Sequence, residues 1–240
     1  MEQDKAKRLN ENVTEKMCSS DGNVVGEMCS PADADTCGDG GIAGKTGGTV
    51  KMRKGNARME LETKRLQLRP WLVEDASWLY EYAKDPAVGP AAGWPAHRDI
   101  EESRALICTV LNGPACYAIC EKVCGHPIGA IELKLSEKTE LTDRTAECEL
   151  GYWLGRPFWG RGYVPEAARV LLQYGFTELG MGAVWCGYYV GNEKSKRVQE
   201  KLGFVPHHLR RAVPVPLLGE TRDEQINVLT KARWAALCAE

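Results

Sequence analysis

Apolar and polar residues alternate in several short stretches after Leu61, which is the spacing typical of half-buried β-strands. Leu66 to Arg69 alternates in this way and is closed by Pro70. Cys116 to Val123 and Pro127 to Leu135 form the next two predicted strands, joined by a hairpin turn. The remaining predicted strands are Thr145 to Leu154, Val184 to Val190, Pro206 to Val213 and Glu224 to Thr230.

Apolar residues with a helical period fill the intervals between these strands. Glu74 and Asp75 open an amphipathic helix that ends near Pro86, and a second helix is predicted from Asp99 to Leu111. Between the two lies a loop, Gly89 to His97, that is interrupted by glycine and proline. The other two predicted helices run from Pro165 to Leu179 and, after an Asn192 cap, from Glu193 to Leu202.

Residues 1–58 follow neither period, contain no aromatic side chain and are rich in small and polar residues. Such a segment cannot bury enough apolar area to offset the entropy lost on ordering. We therefore predict a disordered low-complexity tail over residues 1–58 and a folded domain over residues 59–240. Met59 stands at the start of the folded pattern, so a translation start at that residue is an open alternative.

Composition narrows the class of protein. The chain has 240 residues, 43% of them hydrophobic, and a formal net charge of -2, which predicts one globular domain and no nucleic-acid partner. No apolar run is long enough to cross a bilayer, and the charged opening does not resemble a secretory signal. The ten cysteines show no familiar zinc spacing and are interpreted as reduced thiols. We expect a cytoplasmic monomer or homodimer without a metal or membrane partner.

Two glycines, Gly160 and Gly162, stand between the strand that ends at Leu154 and the helix that begins at Pro165. Glycine lets backbone pass close to a ligand, and the N–H groups that precede a helix form a cradle for anionic oxygens. The pattern therefore indicates a pyrophosphate site. A tight strand-to-helix turn without a ligand would use the same residues.

The segment from Glu149 to Val164, together with Asn192-x-x-Ser195 and Lys201 to Phe204, resembles the GNAT N-acetyltransferase superfamily in its RimJ/RimL-like branch. The resemblance extends from about Leu61 to Trp234. It implies an α+β GNAT (acyl-CoA N-acyltransferase) fold, with a mixed, mostly antiparallel sheet flanked by helices on both sides. It also implies that acetyl-CoA donates an acetyl group to a primary amine, on a protein N-terminus or a small molecule, by direct attack in a ternary complex.

The same resemblance assigns a coenzyme site. In this fold the central strand and the strand from Val184 splay apart, and the pantetheine arm lies between them along main-chain groups. In the resembled branch a serine at the position of Ser195 assists departure of the coenzyme A thiolate, and Asn192 contacts the pantetheine arm. The residues expected to contact the coenzyme are Trp153, Leu154, Trp159, Gly160, Arg161, Gly162, Tyr163, Val164 and Asn192.

The amine needs a proton acceptor, because it arrives mostly protonated and attacks only in its neutral form. Glu149, on the predicted central strand, is the candidate base. Glu147 shares its face of the strand and is both the alternative base and a candidate substrate contact. Trp94 lies in the loop that forms the acceptor side of GNAT folds, and we expect it to contact the amine.

Each of these residues also has a structural interpretation, as a salt-bridged strand carboxylate or as a hydrophobic plug. A second hypothesis for the whole chain is a non-catalytic acyl-CoA-binding protein of the same fold, with a regulatory or scaffolding role. The presence of both Glu149 and Ser195 favours the enzyme.

Overall fold

A computed structural model describes residues 53–54, 59–135 and 138–239. The strands in this part of the chain are β1 (Arg53–Lys54), β2 (Met59–Glu62), β3 (Leu66–Arg69), β4 (Cys116–Glu121), β5 (Pro127–Leu135), β6 (Glu147–Leu154), β7 (Ala183–Tyr189), β8 (Val205–Val215) and β9 (Glu220–Thr230). The α-helices are α1 (Ala76–Ala83), α2 (Gly89–Ala92), α3 (Ile100–Thr109), α4 (Tyr163–Thr177), α5 (Glu193–Lys201) and α6 (Lys231–Ala239).

All of these strands belong to one sheet, in the order β1-β2-β3-β4-β5-β6-β7-β9-β8. The pair formed by β6 and β7 is parallel, and the other recorded pairs are antiparallel. Helices cover both faces, so the predicted α+β class with a mixed, mostly antiparallel sheet is confirmed. None of the described helices is long and apolar enough to span a bilayer.

Two apolar clusters lie on opposite faces of the sheet, because successive strand residues point to opposite sides. On β6, Cys148, Leu150 and Leu154 belong to the larger cluster, which α4 covers with a nearly continuous buried stripe. Trp153 instead packs against the smaller cluster, which α1 and α3 cover. The predicted division of the central strand into two faces is therefore confirmed. We call the face under α1 and α3 the acceptor face.

Several element boundaries differ from the predicted ones. The helix α4 begins at Tyr163, two residues before the predicted start at Pro165. Gly162 precedes it in the left-handed conformation, and Pro165 is accommodated because the first-turn amides of a helix have no intrahelical acceptor. The helix α3 ends at Thr109, two residues before the predicted end, so Val110 caps it and is 53% exposed, whereas Ile107 within the helix is buried.

The strand β2 and the short helix α2 were not predicted, because four-residue elements carry almost no periodic signal. The sheet also begins earlier than expected, since Arg53–Lys54 pairs with β2 inside the segment predicted as a tail. The rest of residues 1–58 lies outside the described part of the chain.

Candidate active site

The parallel strands β6 and β7 separate soon after they meet. They pair through Glu147 and Ala183, Cys148 and Val184, and Glu149 and Trp185. Beyond these pairs β6 continues to Leu154 and β7 continues to Tyr189. Within the described residues no further backbone pairing joins the two strands. The edges of β6 and β7 that face each other are unpaired in this stretch and leave an opening between the two strands. This is the splay that the sequence resemblance implied.

A glycine-rich cradle lies beyond the end of β6. Gly160 and Gly162 have φ values of 75° and 76°, a conformation that residues with a side chain rarely adopt. A Cβ on Gly160 would meet nothing within 4 Å, and one on Gly162 only the tip of Arg65, so the requirement for glycine here comes from backbone shape. The turn leads directly into α4, whose first amides carry the positive end of the helix dipole.

The cradle is fixed to the other end of the folded domain through Arg65. The Arg65 Nη1 group donates to the Arg161 carbonyl oxygen at 3.0 Å, while its Nε donates to Glu166 at 2.7 Å. The same guanidinium lies 4.3 Å from the centre of the Tyr163 ring. Thr63 completes the contact by donating its hydroxyl to Glu166 at 2.5 Å. A turn between β2 and β3 thus supports the loop that would receive the phosphates.

Trp159 closes the strand end of the cradle. Its indole Nε1 donates to the Leu154 carbonyl oxygen at 2.7 Å, and the Lys194 ammonium lies 3.7 Å from the centre of the Trp159 ring. The Leu154 carbonyl therefore already has a donor, so Leu154 is left to offer other main-chain or side-chain contacts to a coenzyme. Lys194 brings a positive charge from α5 to the edge of the cradle.

Ser195 lies at the start of α5, on the side of the opening opposite the acceptor face. Its Oγ is 2.8 Å from the Tyr152 hydroxyl, and the Gln199 amide donates to the same Oγ at 3.4 Å. Gln199 also donates to the Gly187 carbonyl at 3.1 Å and accepts from Asn227 at 2.8 Å. Burial raises the pKa of Tyr152, so this phenol stays protonated and can act as a hydrogen-bond donor.

Asn192 caps α5 and also reaches the loop that faces the acceptor side. Its Oδ1 accepts from the Ser195 amide at 3.1 Å, and its Nδ2 donates to the Ala91 carbonyl at 3.3 Å. Arg222 fixes the same loop by donating to the Pro90 carbonyl at 2.5 Å. The α2 region is therefore attached to the β7 and β9 side of the opening.

Aromatic side chains form the walls of the acceptor face next to the opening. The rings of Trp94 and Trp153 meet edge to face with centres 5.8 Å apart. Tyr189 approaches from β7, and its hydroxyl lies so close to Gly93 that a Cβ on that residue would be only 2.7 Å away. His97, beside Trp94, is hydrogen-bonded through Nδ1 to Ser103 at 2.8 Å, and burial lowers its pKa. His97 therefore serves the packing of α3.

Both predicted carboxylates on β6 are engaged by protein groups. Glu149 accepts from the Lys134 ammonium at 2.7 Å and from the Thr139 hydroxyl at 2.9 Å. Burial alone would lower the pKa of Lys134, but the Glu149 carboxylate outweighs it and the net change is upward. Glu149 is thus one half of a half-buried ion pair at the point where β6 and β7 part.

Glu147 lies further back, where β6 and β7 are still paired. Its carboxylate accepts from the Trp185 indole at 2.6 Å, the Thr142 hydroxyl at 2.8 Å and Arg144 at 3.1 Å. Burial opposes ionisation, but these three donors prevail and lower the pKa of Glu147. This set of partners stabilises the start of the strand and leaves Glu147 little capacity for an amine.

These features can be compared with known proteins. The model of the acetyltransferase (GNAT) domain family matches residues 65–205. The chain belongs to the GNAT acetyltransferase family. It is an acyltransferase, and the predicted recognition of the family is confirmed.

Two curated relatives show where this GNAT chain is placed within the family. It is 30% identical over 156 residues to the uncharacterized N-acetyltransferase p20 of Bacillus licheniformis, an alignment that covers 63% of the chain and 85% of p20. It is 42% identical over 59 residues to a Bacillus subtilis (strain 168) protein named ribosomal N-acetyltransferase YdaF, covering 25% of the chain and 32% of that protein. The latter match supports the RimJ/RimL-like branch.

The fold is confirmed by the crystal structure of the microcin C7 self-immunity acetyltransferase MccE in complex with acetyl-CoA and AMP. It superposes with a TM-score of 0.59 at 21% identity, over 70% of this chain and 93% of MccE. In this chain the predicted coenzyme residues Gly160, Arg161 and Gly162 lie directly before α4. Trp153 lies on the acceptor face with Trp94, and Val164 is buried in the core.

Sequence reasoning missed four polar residues around the opening. Tyr152 was assigned to the face opposite Glu149, which is correct, but its contact with Ser195 depends on where α5 docks. Gln199 lies in a predicted helix, but its contacts with Ser195 and β7 also depend on that docking. Glu132 on β5 and Glu224 on β9 carried no local signal, since each reaches the site through strand pairing.

Proposed function

We propose that this chain transfers the acetyl group of acetyl-CoA to a primary amine by direct attack in a ternary complex. The observation that carries the proposal is the opening between β6 and β7, which runs from the glycine cradle to a polar centre. At that centre the Tyr152 and Ser195 hydroxyls lie on one side of the sheet, and a group of carboxylates lies on the other.

The cradle would hold the pyrophosphate of the coenzyme by backbone N–H groups around Gly160 and Gly162, aided by the dipole of α4. Arg161 and Lys194 add positive charge at its edge. The pantetheine arm would then extend along the unpaired main chain of β6, near Trp153, and pass Asn192. This arrangement leaves the thioester at the point where the strands part.

In the proposed reaction the neutral amine nitrogen attacks the thioester carbonyl carbon, and the carbonyl oxygen becomes an oxyanion. A main-chain N–H group of β6 stabilises the oxyanion. The carbon–sulfur bond then breaks, and the nitrogen, which is positively charged after the attack, gives its extra proton to water. Ser195, hydrogen-bonded to Tyr152, supplies a proton to the departing thiolate and is reprotonated from water, so the products are an amide and free coenzyme A.

The acceptor belongs to one of two classes, a protein N-terminal amino group or a small-molecule amine. The name of YdaF, a ribosomal N-acetyltransferase, favours a protein N-terminus as the first candidate. The aromatic side chains of Trp94, Trp153 and Tyr189 on the acceptor face would contact the end of an extended chain or a small amine.

The test is a panel of peptides and small amines incubated with acetyl-CoA and the full chain. Mass spectrometry detects the acetylated product, and a thiol reagent detects free coenzyme A. We expect both products to appear together for at least one class of amine. A chain that acetyl-CoA stabilises against heat, yet that releases no thiol with any amine, would instead be the non-catalytic acyl-CoA-binding protein.

A further inference from the structure

Two carboxylates missed by sequence analysis lie over the first open positions of the diverging strands. Gly151 on β6 lies two residues beyond Glu149, and Gly187 on β7 lies two residues beyond Trp185, so both are on the acceptor face. A Cβ on Gly151 would lie 3.4 Å from the Glu132 Oε1 atom, and a Cβ on Gly187 would overlap the Glu224 carboxylate. Each carboxylate therefore rests on bare backbone beside the opening.

These two groups are freer to receive a ligand than the carboxylates on β6. Within the described residues, Glu132 makes no hydrogen bond or ion pair, and Glu224 has one cationic partner, Arg210, at 3.4 Å. Glu149 is held by Lys134 and a threonine hydroxyl. Among the residues that the structure describes, the acceptor face therefore presents one carboxylate without a hydrogen bond and one weakly paired carboxylate, on either side of the point where the thioester would lie.

The electrostatics of both groups suit an ammonium ligand. Burial raises the pKa of Glu132; the charges of Lys134 and Lys138 partly oppose this, and Glu149 adds to it. Burial likewise raises the pKa of Glu224, against the effect of Arg210. A half-buried carboxylate is stabilised when a cation arrives or when it takes up a proton.

We propose that Glu132 is the catalytic residue that takes the proton from the acceptor ammonium, and that Glu224 holds this ammonium by charge from the other side of the opening. The assignment rests on the proposed acetyl transfer. One N–H bond of the ammonium breaks and its proton moves to a Glu132 carboxylate oxygen, which leaves a neutral amine with a free electron pair. That pair attacks the thioester carbon; as the carbon–sulfur bond breaks, the nitrogen gives its remaining extra proton to water, and Glu132 returns its own proton to solvent after the product leaves.

The two glycines are what make room for this arrangement. A side chain at Gly187 would occupy the space of the Glu224 carboxylate, and one at Gly151 would press against the Lys134 and Glu132 side chains, 3.2 and 3.4 Å from its Cβ. The ammonium would therefore approach between two strips of bare main chain, with Trp153 and Tyr189 bordering it. In this assignment Glu149 is a positioning residue, since its ion pair at 2.7 Å holds the Lys134 ammonium and offsets its charge.

The test compares Glu132→Gln with Glu149→Gln, and with Glu178→Gln as a control at an exposed position after α4. For Glu132→Gln we expect kcat to fall by about 10²- to 10⁴-fold, the usual range for loss of a general base. We expect kcat/KM of the wild type to decline toward acid pH, and this decline should disappear in the variant. Thermal stabilisation by acetyl-CoA should persist in this variant. Glu149→Gln should keep the acid limb of the profile, and Glu178→Gln should match the wild type.

A second variant guards against misfolding. Glu132→Asp keeps the charge with a shorter reach, so we expect an acid limb with a lowered kcat. Three results would each overturn the assignment. They are activity of Glu132→Gln within twofold of the wild type, full activity in Glu132→Asp, and loss of the acid limb in Glu149→Gln. If the wild type binds acetyl-CoA but acetylates no amine, both the proposed function and the assignment of Glu132 fail. If the wild type is active and Glu132→Gln is unaffected, only the assignment fails.

Discussion

Replacing Glu166 with alanine should both destabilise the domain and weaken the cradle. The Glu166 carboxylate, in the first turn of α4, accepts hydrogen bonds from the Thr63 hydroxyl, the Arg65 amide and the Arg65 guanidinium, at 2.5, 3.0 and 2.7 Å. The positive end of the helix dipole also stabilises the negative charge of this carboxylate. These contacts join residues about a hundred positions apart, so their loss releases the β2–β3 turn from α4.

The size of the effect follows from exposure. The Glu166 side chain is 21% exposed and that of Arg65 is 41% exposed, so solvent screens much of the ion pair, which contributes about 1 kcal/mol at most. Two further hydrogen bonds to the carboxylate add about 1 kcal/mol, and the helix dipole about 0.5 kcal/mol. We expect Glu166→Ala to lower the free energy of unfolding by about 2 to 3 kcal/mol, or the melting temperature by about 4 to 12 °C.

The pH dependence gives an independent check. Burial opposes ionisation of Glu166, but the donors from Thr63 and Arg65 outweigh it and lower its pKa. A lowered carboxyl pKa stabilises the folded state above the pKa of the unfolded chain, and this contribution is lost as pH falls through the folded-state value. The gap in melting temperature between wild type and Glu166→Ala should be constant near neutral pH and should close below about pH 4.

Thermal unfolding followed by circular dichroism, with and without acetyl-CoA, measures both effects. Glu178→Ala serves as the control because Glu178 caps the other end of α4 and is exposed. Its melting temperature should lie close to that of the wild type. If Glu166→Ala melts within 1 °C of the control at neutral pH, the connection between the turn and the helix contributes nothing, and the reasoning fails.

Three further changes test the rest of the site. Gly162→Ala, at φ 76°, should cost about 1 to 2 kcal/mol of backbone strain and weaken acetyl-CoA binding measured by calorimetry. The control Gly219→Ala, at φ 66° in a turn outside the cradle, should carry the strain without the loss of affinity. Equal losses of affinity in the two variants would argue against the cradle. Ser195→Ala should lower kcat by about 10- to 100-fold with nearly unchanged acetyl-CoA affinity, and loss of affinity alone would make Ser195 a binding residue. Trp94→Ala should raise KM for the amine by about tenfold and leave acetyl-CoA affinity intact, and a change in affinity for acetyl-CoA instead would place Trp94 on the donor side.

The parts of the fold with a strong local pattern could be predicted. The alternation along β6 assigned Gly151 and Tyr152 to opposite faces, and the asparagine at position 192 marked the start of α5. The two glycines of the cradle were visible because their positive φ is a local requirement. Each of these signals depends on a few neighbouring residues, which is why the sequence alone carried them.

The missed residues reach the site through long-range pairing. Glu132 is opposite Gly151 because β5 and β6 pair in that register, and Glu224 is opposite Tyr189 because β9 pairs with β7. A shift of one residue in either register would turn these carboxylates to the other face. Arg65 and Glu166 meet only once the sheet and α4 have packed. No pattern within one segment could reveal such contacts.

The register of β6 also explains why the opening is needed for the proposed chemistry. Gly151 and Tyr152 are consecutive residues, yet one faces Glu132 and the other faces Ser195 on the opposite side of the sheet. A proton removed on the acceptor face and a proton supplied to sulfur on the other face are therefore separated by the thickness of one strand. A closed ladder between β6 and β7 would block the thioester from both groups. Because the pairing ends at Glu149 and Trp185, the carbonyl carbon can lie between the two faces, where both proton transfers reach it.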